Sequence, residues 1–185
     1  MQRKIITLVI DFECKSYFFN SFLGTTFSRE KYNHNQTIIT EKIKESLVFI
    51  QNPYLCKIDT HYSSNLKKNY FHIFFGLALT IFSRRVFFAG LFFSKIGYRK
   101  FNYTSDAISY YRKYIHPNEQ DNLCMPRTLF AAATSKSFRK NGILYIGVFL
   151  PSNSLHAWII EDGMVVDKSD KIWIHYQPLA MIYYE

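Results

Sequence analysis

The side chains in this 185-residue chain with the reactivity for covalent or acid–base work are three cysteines, six histidines and a group of acids near the C-terminus. Cys124 stands apart from Cys14 and Cys56 because it lies near the start of the helix-like stretch DNLCMPRTLFAAATSKSFRKNG, residues 121–142. Asp121 or Asn122 suits an N-cap, Pro126 fits a first turn, and the alanines carry a helix onward. Lys136, Arg139 and Lys140 fall where cations favour a helix C-terminus, and Asn141-Gly142 is a stop signal. The pattern predicts one helix from about Leu123 to Lys140. Cys124 then sits in its first turn, where free backbone N–H groups and the positive end of the dipole favour a thiolate. Most cysteines in a reducing compartment are simply small buried hydrophobes, and Cys14 and Cys56 take that reading.

His156 lies 32 residues further on, in the strand-like segment LHAWIIE. Alone it reads as a structural histidine; paired with a cysteine at a helix start it fits the arrangement in which imidazole takes the thiol proton. Asp162-Gly163 is the residue pair of a two-residue hairpin turn, which sets Glu161 opposite Met164. Continued outward, that register puts Trp158 opposite Asp167 and His156 opposite Ser169, all four on one face. Asp167 is then the diagonal neighbour of His156, roughly 7–8 Å away between Cβ atoms, and can orient the imidazole. A bulge would exchange faces, so Asp170 is the alternate acid. The backbone N–H of Cys124 is the simplest oxyanion donor, ahead of the side chains of Gln120 or Asn122.

These residues need elements to hold them. Ile5–Phe12 reads as an opening strand, and Thr37–Gln51 places Ile39, Ile43, Leu47 and Ile50 on one helical face. Residues 52–68 are a polar connection and mark the boundary between a region 1–68 and a domain 69–185. The apolar run Phe71–Phe93 is interrupted by Arg84-Arg85, so it falls short of the ~18 residues of a spanning helix. It reads as core-buried helix, with membrane-surface contact as the lesser alternative. A second helix is expected over Tyr103–Ile115, capped by Thr104 or Ser105, with Ile108, Tyr111 and Ile115 on one face and His116-Pro117 at its end. After Gly142 the period changes to two: strands at Leu144–Leu150, Leu155–Glu161 and from Met164, with further ones at Ile172–Tyr176 and Ala180–Tyr184. The fold class is α+β, a helix packed on an antiparallel sheet.

Composition narrows the function. With 48% hydrophobic and 18% aromatic residues the chain is too apolar for a disordered tail. The net charge of +9 suggests nucleic acid or a membrane surface, but residues 1–120 carry 17 Lys and Arg against 8 Asp and Glu, and residues 121–185 carry 6 of each. The segment with the reactive residues is therefore neutral. The basic pairs are scattered, and YYRKY at 110–114 has no accompanying nucleic-acid-binding motif, so specific nucleic-acid recognition is the poorer reading. His34, His61, His72, His116 and His175 lack the paired spacing of metal ligands, and no Gly-rich phosphate loop is present, so no bound cofactor is expected. Three cysteines without a CxxC pair point to a reducing, cytoplasmic setting. The opening MQRKIITLVIDFECK reads as a strand rather than a signal peptide.

CMPRTLFAAATSKSFRKNGILYIGV (124–148) succeeded by HAWIIEDGMVVD (156–167) resembles the cysteine–helix–NGI–strand–HAW–DG pattern of the lasso peptide biosynthesis B proteins, leader peptidases of the transglutaminase-like (papain-like) superfamily. The resemblance spans about residues 104–170, with Cys124, Arg127, Gly142, Ile143, Gly147, Val148, His156, Ala157, Trp158 and Gly163 matching. It implies a papain-like core over 69–185, with Cys124 as nucleophile and His156 as base, that removes the leader from a ribosomally made precursor. It further implies an asparagine-synthetase-like cyclase as partner, through which any ATP requirement would run, and a small winged-helix-like leader-recognition region within 1–68. The family usually places the acid one position after Asp167, where Lys168 stands, so Asp167 rests on the hairpin register. The competing expectation is a catalytically inactive peptide-binding or scaffold subunit of a biosynthetic complex.

Overall fold

The computed structural model describes residues 3–7, 10–12, 15–20, 25–30, 57–58, 66–85, 100–117, 123–149, 152, 154–166 and 175–184, with the backbone alone for the first five strands and for 83–85. In chain order the elements are β1 (Arg3–Thr7), β2 (Ile10–Phe12), β3 (Lys15–Asn20), β4 (Thr25–Glu30), β5 (Lys57–Ile58), α1 (Tyr70–Arg85), α2 (Thr104–Tyr110), α3 (Cys124–Thr134), α4 (Lys136–Asn141), β6 (Gly142–Phe149), β7 (Ser154–Glu161), β8 (Met164–Val165) and β9 (Gln177–Tyr184). The architecture is α+β: helices pack on a sheet in which the run β1-β9-β6-β7, starting from the β1 edge, is all antiparallel, with β8 and then β5 completing the order. β5 joins β8 in parallel, and β2-β3-β4 form a separate antiparallel sheet.

β6 and β7 form the middle of the main sheet, paired from Gly142↔Glu161 to Phe149↔Ser154. β6 is buried on both faces, which is why GILYIGVF is apolar throughout instead of alternating. Leu144, Ile146, Val148, Ala157, Ile159, Ala180 and Ile182 join the residues of α1, α2 and α3 in one core. Ile143, Tyr145, Trp158, Ile160, Val165, Met181 and Tyr183 make a second cluster on the opposite face. The hairpin register holds: Glu161 pairs with Met164, Ile160 with Val165, and the Val166 N–H donates to the Ile159 carbonyl at 3.1 Å. Asp162 and Gly163 both have positive φ, 50° and 73°, the backbone of a turn matched to the strand twist.

Several local expectations are corrected. The helix expected over 123–140 is two helices, because Ser135 is extended (φ −98°, ψ 147°). Residues 101–102 bridge there in parallel: Phe101 N–H donates to the Thr134 carbonyl at 3.1 Å, and Lys136 N–H to the Phe101 carbonyl at 2.9 Å. Thr134 Oγ1 donates to the Phe130 carbonyl at 2.8 Å, and the Ser135 hydroxyl pairs with Thr104 Oγ1 at 3.0 Å, the side-chain competition that disfavours helix continuation. The N-cap of α2 is Tyr103, without a side-chain cap bond, and Thr104 is its first helical residue. Ile108, Tyr111 and Ile115 are buried together as expected, although residues 111–115 wind as a π-turn. The single opening strand is two, β1 and β2, which belong to different sheets. The helix expected over 37–51 lies outside the described residues.

The aromatic helix also differs from expectation. α1 buries His72, Phe75, Leu79 and Thr80 but leaves Tyr70, Phe71, Phe74, Leu77, Ile81 and Phe82 exposed, so only one of its faces is core. Among the described residues no helix is long and apolar enough to cross a membrane.

Candidate functional site

Cys124 opens α3, with Leu123 as an N-cap that makes no side-chain cap bond and no acid in the first turn. It is a free, buried cysteine in the helix-side core. Pro126 in that first turn has no N–H to leave unpaired. One turn in, Thr128 Oγ1 donates to the Cys124 carbonyl at 2.9 Å and the Met125 carbonyl at 3.0 Å, tying the turn to itself. Arg127, a position of the resemblance, is buried beside it in sequence and shares this first turn. Asp121 and Asn122, the expected caps, and Gln120 lie outside the described residues, as do Cys14 and Cys56.

His156 is the third residue of β7, paired with Gly147 of β6. Its ring is buried, lies nearly parallel to Trp158 (14°, centroids 6.1 Å apart) and meets Tyr176 at 5.0 Å. Trp158 in turn stacks on Tyr145 at 5.6 Å. Gly147 leaves room for this row: a Cβ there would meet the Trp158 ring at 2.7 Å and the Gln177 carbonyl at 2.8 Å. The register of β6 with β9 also shifts between Ile146 and Gly147, so the sheet is irregular beside the histidine.

The faces of β7 decide what these residues share. Ala157 and Ile159 point into the helix-side core, and the period of two sends His156 with Trp158 to the other face. Cys124 belongs to the helix-side core. The described side chains thus group Cys124 with α3 and its packing partners, and His156 with Trp158 and Tyr176. Asp167 and Asp170, the candidate acids, lie outside the described residues, and the confirmed hairpin register ends at Val166.

Tyr176 is the neighbour of His156 that sequence reasoning missed. It approaches from the start of β9, also touching Phe149 at 6.0 Å and the Ser154 hydroxyl at 3.3 Å. Nothing in the spacing between 156 and 176 signals that contact. Among the described residues no group of His, Cys, Asp and Glu is placed to hold a metal ion.

Comparison with known proteins finds no family model, no curated protein and no solved structure that matches this chain.

Proposed function

We propose that the chain is a cysteine peptidase that removes a leader peptide from a ribosomally synthesised precursor of the lasso peptide type, working beside an ATP-dependent macrolactam-forming cyclase. The observation that carries the reading is that α3, opened by Cys124, packs on β7, the strand that carries His156.

In this mechanism the imidazole of His156 takes the Cys124 thiol proton, and the thiolate attacks the carbonyl carbon of the scissile peptide bond. The oxyanion is met by the backbone N–H groups at the start of α3. Collapse breaks the C–N bond, and the imidazolium returns the proton to the departing amine, which is the new N-terminus of the core peptide. Water, deprotonated by the same imidazole, then hydrolyses the thioester and frees the leader as a carboxylate. Asp167 holds the imidazole, with Asp170 as its alternate.

Incubation of the purified protein with precursor and cyclase, read by mass spectrometry, tests this. Cys124→Ala and His156→Ala are each expected to lower the cleavage rate by roughly 10³-fold or more while leaving circular dichroism unchanged. Full cleavage by Cys124→Ala sinks the peptidase reading. A dead Asp170→Ala beside an unaffected Asp167→Ala would place a bulge beyond Val166.

One observation favours the second reading, a peptide-binding subunit without catalysis: alternation along β7 turns His156 to the face opposite the helix-side core that contains Cys124. That reading expects precursor binding of equal strength in wild type and Cys124→Ala, and no cleavage by either.

A further inference from the structure

The exposed face of α1 has no role in the proposed chemistry. Tyr70, Phe74, Leu77 and Ile81 succeed one another at steps of four, three and four, one continuous stripe of the helix, and Phe71 flanks its start. Their exposures are 76, 74, 40 and 54%, with Phe71 at 57%. These five side chains present on the order of 600 Å² to solvent, the upper end for the largest apolar patch of a monomer. The opposite face of α1 is fixed in the core by Phe75 and Leu79, and Gly76 lies so close to Ile115 that a Cβ would clash with it. The stripe is therefore held outward by the fold.

Cations stand at the start of this stripe. Lys67 and Lys68 are exposed, and the Lys68 ammonium sits 5.3 Å over the ring of Tyr70, the first residue of the stripe. Lys67 and Lys100, together with the buried Asp106, line the adjoining open groove of about 340 Å³. No acid occurs within α1, and its sequence closes on Arg84-Arg85.

We infer that this face of α1 seats the protein on an anionic lipid surface, with the aromatic and aliphatic stripe in the headgroup and acyl boundary and the lysines against lipid phosphates. An apolar helical face flanked by cations is the composition of an interfacial helix. At 16 residues α1 is about 24 Å long, less than the ~30 Å hydrocarbon core, so it lies along the surface and does not span. A second copy of the chain is the poorer occupant, because the patch is smaller than the ~800 Å² per partner of a stable protein interface.

Co-sedimentation of the full-length protein with vesicles tests the inference. Phosphatidylcholine vesicles containing one part in three phosphatidylglycerol are expected to carry the protein down at low salt, and pure phosphatidylcholine to carry down much less. Phe74→Ser/Ile81→Ser is expected to lower the partition by more than ~10-fold, and each of Lys67→Gln and Lys68→Gln by about fivefold. Leu77→Gln with Tyr70→Ser repeats the apolar test at independent positions, and circular dichroism checks that both double variants stay folded. The inference is overturned if the wild type does not sediment with the anionic vesicles, or if the double variants bind as well as the wild type. A wild-type dimer that Phe74→Ser/Ile81→Ser converts to monomer would also overturn it, by assigning the face to a second copy.

Discussion

Gly147 is where one residue holds the surroundings of His156 in place. The Trp158 ring occupies the space a side chain at 147 would fill, with a Cβ there at 2.7 Å from Cη2 and 2.8 Å from the Gln177 carbonyl. Gly147→Ala must displace the indole or bend β9, and because His156 lies parallel to Trp158 its ring moves too. The expected cost is about 1–3 kcal/mol in urea denaturation, with a loss of precursor cleavage beyond what the stability change explains. Unchanged stability would mean that β9 yields freely at its register shift. Cys124 and His156 could be singled out in the sequence because helix-start and hairpin signals are local. Tyr176 could not, since it reaches His156 from β9, a partner only the tertiary fold supplies.

At the scale of elements, strands were more legible than helix ends. The Asp162-Gly163 turn fixed the hairpin because both residues tolerate positive φ, whereas the break at Ser135 depends on Phe101 and Thr104, more than 30 residues away. The start of α1 is a similar case. Asn69 caps it through Oδ1, which accepts from the His72 N–H at 3.3 Å. The Tyr110 hydroxyl of α2 clamps Asn69 in turn, accepting from its N–H at 2.8 Å and donating to its carbonyl at 2.9 Å. Burial raises the Tyr110 phenol above its ordinary value of 10.0; the Asn69 hydrogen bond opposes this and Tyr114 adds to it. Tyr110→Phe leaves both Asn69 groups without this partner, an expected loss of about 1–3 kcal/mol. The raised value sets the sign with pH. The folded state holds the proton more tightly than the unfolded chain, so this contribution is full below pH 10 and fades as pH rises through the folded-state value. The gap between wild type and Tyr110→Phe in thermal denaturation should therefore narrow above pH 10, and a gap that widened there would contradict the assignment.

For the whole molecule, the sequence suggested a recognition region at 1–68 joined to a peptidase domain at 69–185, and the sheet gives that division a physical test. β1 pairs with β9 from Arg3↔Tyr184 to Thr7↔Ala180, and β5 pairs with β8, so strands from the first 68 residues stand at both ends of the main sheet. This could not be read from periodicity, because the partners lie at opposite ends of the chain and contacts that distant leave no local pattern. β9 carries the run LAMIYY, buried in the intact protein. Removing residues 1–68 would turn β9 into an edge strand, long and apolar, of the kind that pairs with other chains. The fragment 69–185 is accordingly expected to aggregate or to melt at a distinctly lower temperature than the full chain, as judged by light scattering and circular dichroism. A soluble fragment with the stability of the whole would show that the first 68 residues fold and act as a separate module. The basic charge would then be shared between that detachable module, with 10 Lys and Arg against 6 Asp and Glu, and residues 69–120, with 7 against 2, leaving residues 121–185 neutral.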